Sequence, residues 1–98
     1  MNMISTKDRA KLKGLAQKIE PVFQIGKNGV TDNVIEQISV ALDARELIKI
    51  NVLKNSDENA KTVVNTLAEK LNAEAVAAIG NKIVLYRYSD KKGVVHVL

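Results

Sequence analysis

Residues 25–31 read IGKNGVT, two glycines bracketing a lysine and an asparagine. Two kinds of chemistry use such a run. Asn28-Gly29 suits a tight hairpin turn, because both residues tolerate positive φ, and the stretch would then be purely structural. Alternatively, Gly26 and Gly29 let the backbone approach a phosphate, with Lys27 supplying charge and the N-terminus of a following helix supplying amides. The flanking residues choose between turn types. Val34, Ile35, Ile38, Ala41 and Leu42 recur at helical spacing after the loop, with Thr31 or Asp32 as the N-cap, so no second strand follows the Asn-Gly pair. GKNG is therefore expected as a strand-to-helix turn whose amides lie near the positive end of a helix. Asp32, in the first turn of that helix, puts a carboxylate where a phosphate would sit and weighs against an anion there.

The cations are distributed unevenly. The net charge is +4, and residues 1–29 carry all of it: Lys7, Arg9, Lys11, Lys13, Lys18 and Lys27 stand against Asp8 and Glu20. The remaining nine basic and nine acidic residues cancel. At 100° per residue, Lys7, Lys11 and Lys18 fall on one flank of the apolar stripe Leu12, Leu15, Ala16 and Ile19, and Arg9 and Lys13 fall on the other. Such a concentration is the electrostatic footprint of a protein that meets a polyanion, although a lysine run by itself also describes a solvated helix face. The candidate nucleic-acid contacts are thus Gly26, Lys27, Asn28 and Gly29 of the loop, and Lys7, Arg9, Lys11, Lys13 and Lys18 of the first helix.

Other chemistry lacks carriers. There is no cysteine, which removes disulfides and thiolate metal sites, and the one histidine, His96, reads as a tail residue with no carboxylate cluster around it in sequence. No HExxH, GxSxG, Walker A or GxGxxG pattern occurs, and Thr31 and Ser39 have no evident base, so no enzyme activity, metal, cofactor or small-molecule substrate is expected. Phe23, Tyr86 and Tyr88 are the only aromatic residues. A sheet platform that stacks unpaired bases needs more rings, so nucleic acid would be met through phosphates and shape. Phe23 reads as core, and Tyr86 and Tyr88 as cross-strand packing on one strand face.

The elements that position these residues follow from periodicity. Ninety-eight residues, 46% of them hydrophobic, make one domain spanning 1–98. The opening MNMISTKDRAKLKG has no apolar leader, and no run reaches the ~18 apolar residues of a membrane span, so a soluble, cytoplasmic and monomeric protein is expected. Ser5 and Asp8 form a capping box for a first helix that runs to about Lys18, and Pro21 precedes a short strand, VFQI. ELIKINVL alternates as a half-covered strand. Ser56 or Asp57 opens a third helix with the stripe Ala60, Val63, Val64, Leu67, Ala68 and Leu71. Strands at 75–79 and 82–87 are joined by Gly80-Asn81 as a type II′ hairpin, and the apolar run 83–85 suits a central strand. The order α-β-α-β-α-β-β predicts an α/β domain with a four-stranded mixed sheet, its first three strands parallel and its last antiparallel.

Taken in order, PVFQIGKNGVTDNVIEQI, ELIKI and GNKIVLYR resemble the CRM domain (chloroplast RNA splicing and ribosome maturation), specifically its stand-alone bacterial YhbY-like form. The likeness spans essentially the whole chain. It implies a two-layer α/β fold similar to the C-terminal domain of translation initiation factor three, with sheet order 1-2-4-3 and the last strand central. It also implies that Gly26, Lys27, Asn28 and Gly29 form an RNA-binding loop analogous to that of KH domains. The role implied is binding of structured ribosomal RNA within precursors of the large ribosomal subunit. A nucleic-acid module of similar fold acting on the small subunit or on DNA, and a protein-interaction module using a sheet edge or the tail, are the alternatives.

Overall fold

The computed structural model of the protein describes residues 4–54 and 58–98. Helix α1 (Thr6–Ala16) starts as its capping residue dictates, with the Asp8 N–H donating to Ser5 Oγ at 3.0 Å. It ends two residues short of the expected Lys18. There the chain tightens into i→i+3 turns, Lys18 N–H to Leu15 at 3.1 Å and Ile19 N–H to Ala16 at 3.3 Å, on its way to Pro21. Strand β1 (Phe23–Ile25) is followed by α2 (Asp32–Arg45), β2 (Leu47–Val52), α3 (Ala60–Leu71), β3 (Glu74–Ile79) and β4 (Lys82–Tyr86).

Thr31 caps α2, its Oγ1 accepting the Val34 N–H at 3.2 Å. The expected caps of α3, Ser56 and Asp57, lie outside the described residues; the residue that caps α3 is Asn59, whose Oδ1 accepts the Thr62 N–H at 2.9 Å. The expected stripe of α3 is buried at Ala60, Val63, Val64, Leu67 and Leu71 and partly buried at Ala68. Gly80 has φ of +61° and Asn81 does not have a positive φ, as a type II′ connection between β3 and β4 asks.

The sheet order is β1-β2-β4-β3, with β1 and β2 parallel and β4 antiparallel to both of its neighbours. β4 is covered on both sides: Ile83 and Leu85 join α2 and α3 in one core cluster, and Val84 and Tyr86 join Leu12 and Ala16 of α1 in another. This corrects one expectation. Helices lie on both faces of the sheet, so the two expected layers become three wherever α1 crosses it. Alternation along β2 shows the division, since Leu47 packs with α1 while Ile48, Ile50 and Val52 pack with α2 and α3.

Candidate nucleic-acid interface

The GKNG run is a hydrogen-bonded β-turn. The Gly29 N–H donates to the Gly26 carbonyl at 3.0 Å, leaving Lys27 and Asn28 exposed at the two central positions. Gly29 has φ of +66°, which L side chains rarely adopt, whereas Gly26 is not among the positive-φ residues. A Cβ built on Gly29 would have no neighbour within 4 Å, so the fold leaves that backbone bare rather than packed. Two residues later Thr31 starts α2, and Asp32 occupies its first turn. The turn therefore sits between the C-terminal end of β1 and the N-terminal end of α2, as the sequence indicated.

Lys7, Lys11, Lys13 and Lys18 are exposed. Arg9 is not: its Nη1 donates to the carbonyls of Ala75 and Val76, the latter at 3.2 Å. These carbonyls lie where β3 shifts register against β4 between Ala75 and Ala77, so Arg9 fastens α1 to an irregular edge strand and has a structural task of its own. The loop and the helix are not contiguous. Lys18 lies before β1 begins, beside an apolar cleft of about 420 Å³ lined by Leu15, Ile19, Pro21, Leu47 and Val97, while Lys27 lies beyond the strand's other end.

At the sheet end away from GKNG, side chains meet that sequence reasoning did not connect. Glu46 links α2 directly to β2 with φ of 64°, and it is fully buried. Its carboxylate accepts the Ser89 N–H at 2.8 Å and the Val97 N–H at 3.0 Å, and lies 2.7 Å from His96 Nδ1. Burial pushes the Glu46 pKa up. The Ser89 amide, the His96 ring and the Val97 amide outweigh it, so the carboxyl titrates below its ordinary value. His96, read from sequence as a tail residue without a role, thus helps dock the C-terminal segment, and its ring stacks on Tyr88 with centroids 4.8 Å apart. Tyr88 itself lies past the end of β4 and is 61% exposed, instead of packing across strands. Arg87 binds the Leu71 carbonyl at 3.0 Å, the Ser39 carbonyl at 2.9 Å and Asp43 Oδ1 at 3.0 Å, tying the end of α3 to α2. No local signal marks either cluster, since their partners are 16 to 51 residues apart.

Among the described residues no three His, Asp or Glu side chains come together to hold a metal ion, and no helix is long and apolar enough to cross a membrane. What the surface does offer is a bare glycine turn and a set of exposed lysines. Residues 4–87 match the model of the CRS1/YhbY (CRM) domain. The chain belongs to this family. Among CRM relatives, the "Probable RNA-binding protein YqeI" of Bacillus subtilis is 45% identical over 91% of this chain and 93% of its own length. An "RNA-binding protein" of Haemophilus influenzae is 38% identical over 93% and 92% respectively. The solution structure of the hypothetical protein SAV1595 from Staphylococcus aureus superposes with a TM-score of 0.78 at 43% identity, covering 92% of this chain and 94% of that one. The fold inferred from sequence, with its 1-2-4-3 sheet order, is the one this chain adopts, and a solved structure superposes on it.

Proposed function

We propose that the protein binds structured ribosomal RNA in precursors of the large ribosomal subunit and acts by binding alone, without catalysis. Relatives named for RNA binding support the partner class, and the resemblance to YhbY-like proteins supports the ribosomal setting. The observation that carries the reading is the GKNG turn. Its Gly29 backbone is unobstructed, Lys27 and Asn28 stand at its tip, and it opens a capped helix. A glycine backbone with open space around it and a lysine at a helix N-terminus suit a phosphate, with Asp32 limiting how close the anion comes to the helix axis. Lys7, Lys11 and Lys13 add phosphate contacts along α1, and Lys18 adds one in the turn that follows it.

Sucrose-gradient sedimentation of cell extracts, with the bound RNA recovered by crosslinking, tests this. The parent protein is expected with particles lighter than the mature large subunit and crosslinked to their RNA. Lys27→Ala is expected to shift toward the free fractions. A parent that sediments with small subunits, or only free, overturns the large-subunit assignment. Lys27→Ala that crosslinks like the parent removes the loop from the interface.

A further inference from the structure

The RNA reading relies on two features that the fold holds apart. α1 crosses the sheet at the end where β1 begins, and GKNG leaves the end where β1 finishes. Between them, on the sheet face that carries α1, one row of side chains has no helix above it among the described residues. The strand register sets Gln24 of β1 beside Asn51 of β2, Asn51 beside Lys82 of β4, and Lys82 beside Ile79 of β3. Alternation puts Asn51 on the face of Leu47, and Lys82 on the face of Val84 and Tyr86, all three of which pack with α1. Lys82 Nζ donates to Asn51 Oδ1 at 3.2 Å across that face. Lys49, two residues before Asn51 and opposite Val84, shares it. Gln24 and Lys82 are exposed, and Ile79 is 71% exposed at the end of the row.

We propose that this strip, Lys49, Gln24, Asn51 and Lys82, is a further RNA contact that receives the backbone and ribose edge of helical RNA held at the same time by α1 and the GKNG turn. The inference rests on the RNA reading above. A ligand that runs from α1 to the GKNG turn over this sheet face crosses the strip. Its ionised groups are both cations, which match phosphates, and its two amides can each donate to and accept from a ribose 2′-hydroxyl. It holds no aromatic ring, so it offers unpaired bases nothing to stack on. The wide, shallow minor groove of A-form RNA presents hydroxyls and phosphates together, and that is the surface these residues fit.

The test compares a labelled RNA hairpin of about 16 base pairs, a DNA hairpin of the same sequence and an unpaired RNA strand, by fluorescence anisotropy over a range of salt. The parent is set beside Lys49→Gln/Lys82→Gln, Gln24→Ala/Asn51→Ala and Lys27→Ala, with melting temperatures recorded for each. The lysine pair is expected to weaken both hairpins and flatten the salt dependence by about 0.7 to 0.9 in log–log slope per lysine. The amide pair is expected to reduce the preference for the RNA hairpin over its DNA counterpart. Neither pair should move the melting temperature. If Lys27→Ala weakens binding while both strip variants bind like the parent, the strip inference is overturned and the RNA reading stands; if all three bind like the parent, both fall. Tighter binding of the unpaired strand than of the RNA hairpin overturns the helical occupant.

Discussion

At Gly29 the turn and the ligand make separable demands. The φ of +66° strains any L side chain, and the absence of neighbours around a built Cβ means that the strain is confined to the backbone. Gly29→Ala is therefore expected to cost about 1 kcal/mol or somewhat more, and Gly29→Asn less, because Asn tolerates the left-handed region. Thermal melts check the order. Should RNA affinity fall in a fully folded Gly29→Ala protein, the new methyl lies against the ligand, since it meets nothing in the protein. Glu46 makes a second prediction, this time about pH. Its carboxyl titrates below its ordinary value in the folded chain, so the stability it contributes is present above the unfolded value and lost as pH falls through the folded one. Melting temperature is expected to decline below about pH 4.3, the ordinary glutamate value. Glu46→Gln sets an amide group against the Ser89 and Val97 N–H donors and is expected to cost about 1–3 kcal/mol at neutral pH. It should also lose part of the acid-dependent decline. An unchanged pH profile in Glu46→Gln would show that other groups set acid stability.

Along α1 and the turn that follows it, charge and packing occupy different sides, which lets fold and binding be separated by mutation. Lys7, Lys11 and Lys18 are exposed, so changing all three to Gln is expected to leave stability within about 0.5 kcal/mol per site while lowering RNA affinity. Leu12 is fully buried, and Leu12→Ala is expected to cost about 2–5 kcal/mol, whereas Leu15, only partly covered, should cost less. Chemical denaturation beside RNA titration measures both. The same helix shows what a linear sequence conveys. Its stripe and its Ser5 cap are local features and could be read directly, as could the α3 stripe and the Gly80-Asn81 connection. That α1 covers the face opposite α2 and α3 could not, because an apolar stripe says what is buried and not against which side of a sheet. The sheet order came from family resemblance rather than from strand patterns. Arg9 looked like a free cation because its acceptors are backbone carbonyls 66 and 67 residues away, which no side-chain pattern announces. Glu46, at the head of ELIKI, carries no signal in the sequence for the same reason, the partners of its carboxylate, Ser89, His96 and Val97, lying in the distant tail.

For the whole molecule, the distribution of charge predicts how binding responds to salt. The first 29 residues hold the entire excess of +4, and the fold spreads it over the exposed lysines of α1 and the tip of the GKNG turn. Arg9 is occupied by β3, so Lys7, Lys11, Lys13, Lys18 and Lys27 are the groups available to displace counterions from RNA. Each phosphate contact contributes about −0.7 to −0.9 to the slope of log affinity against log salt. Five contacts give a slope of about −3.5 to −4.5, and engagement of Lys49 and Lys82 in addition would steepen it. The measurement is equilibrium binding of a ribosomal RNA fragment between low and moderate salt, for the parent and for the Lys7, Lys11 and Lys18 triple Gln variant. The variant should retain the shallower slope left by Lys13 and Lys27, with the difference from the parent approaching three contacts. A parent slope near zero would mean that shape or apolar contact holds the RNA and that the basic helix is merely solvated. Equal, steep slopes for parent and variant would move the phosphate contacts off α1 and onto the turn and the open strip of the sheet.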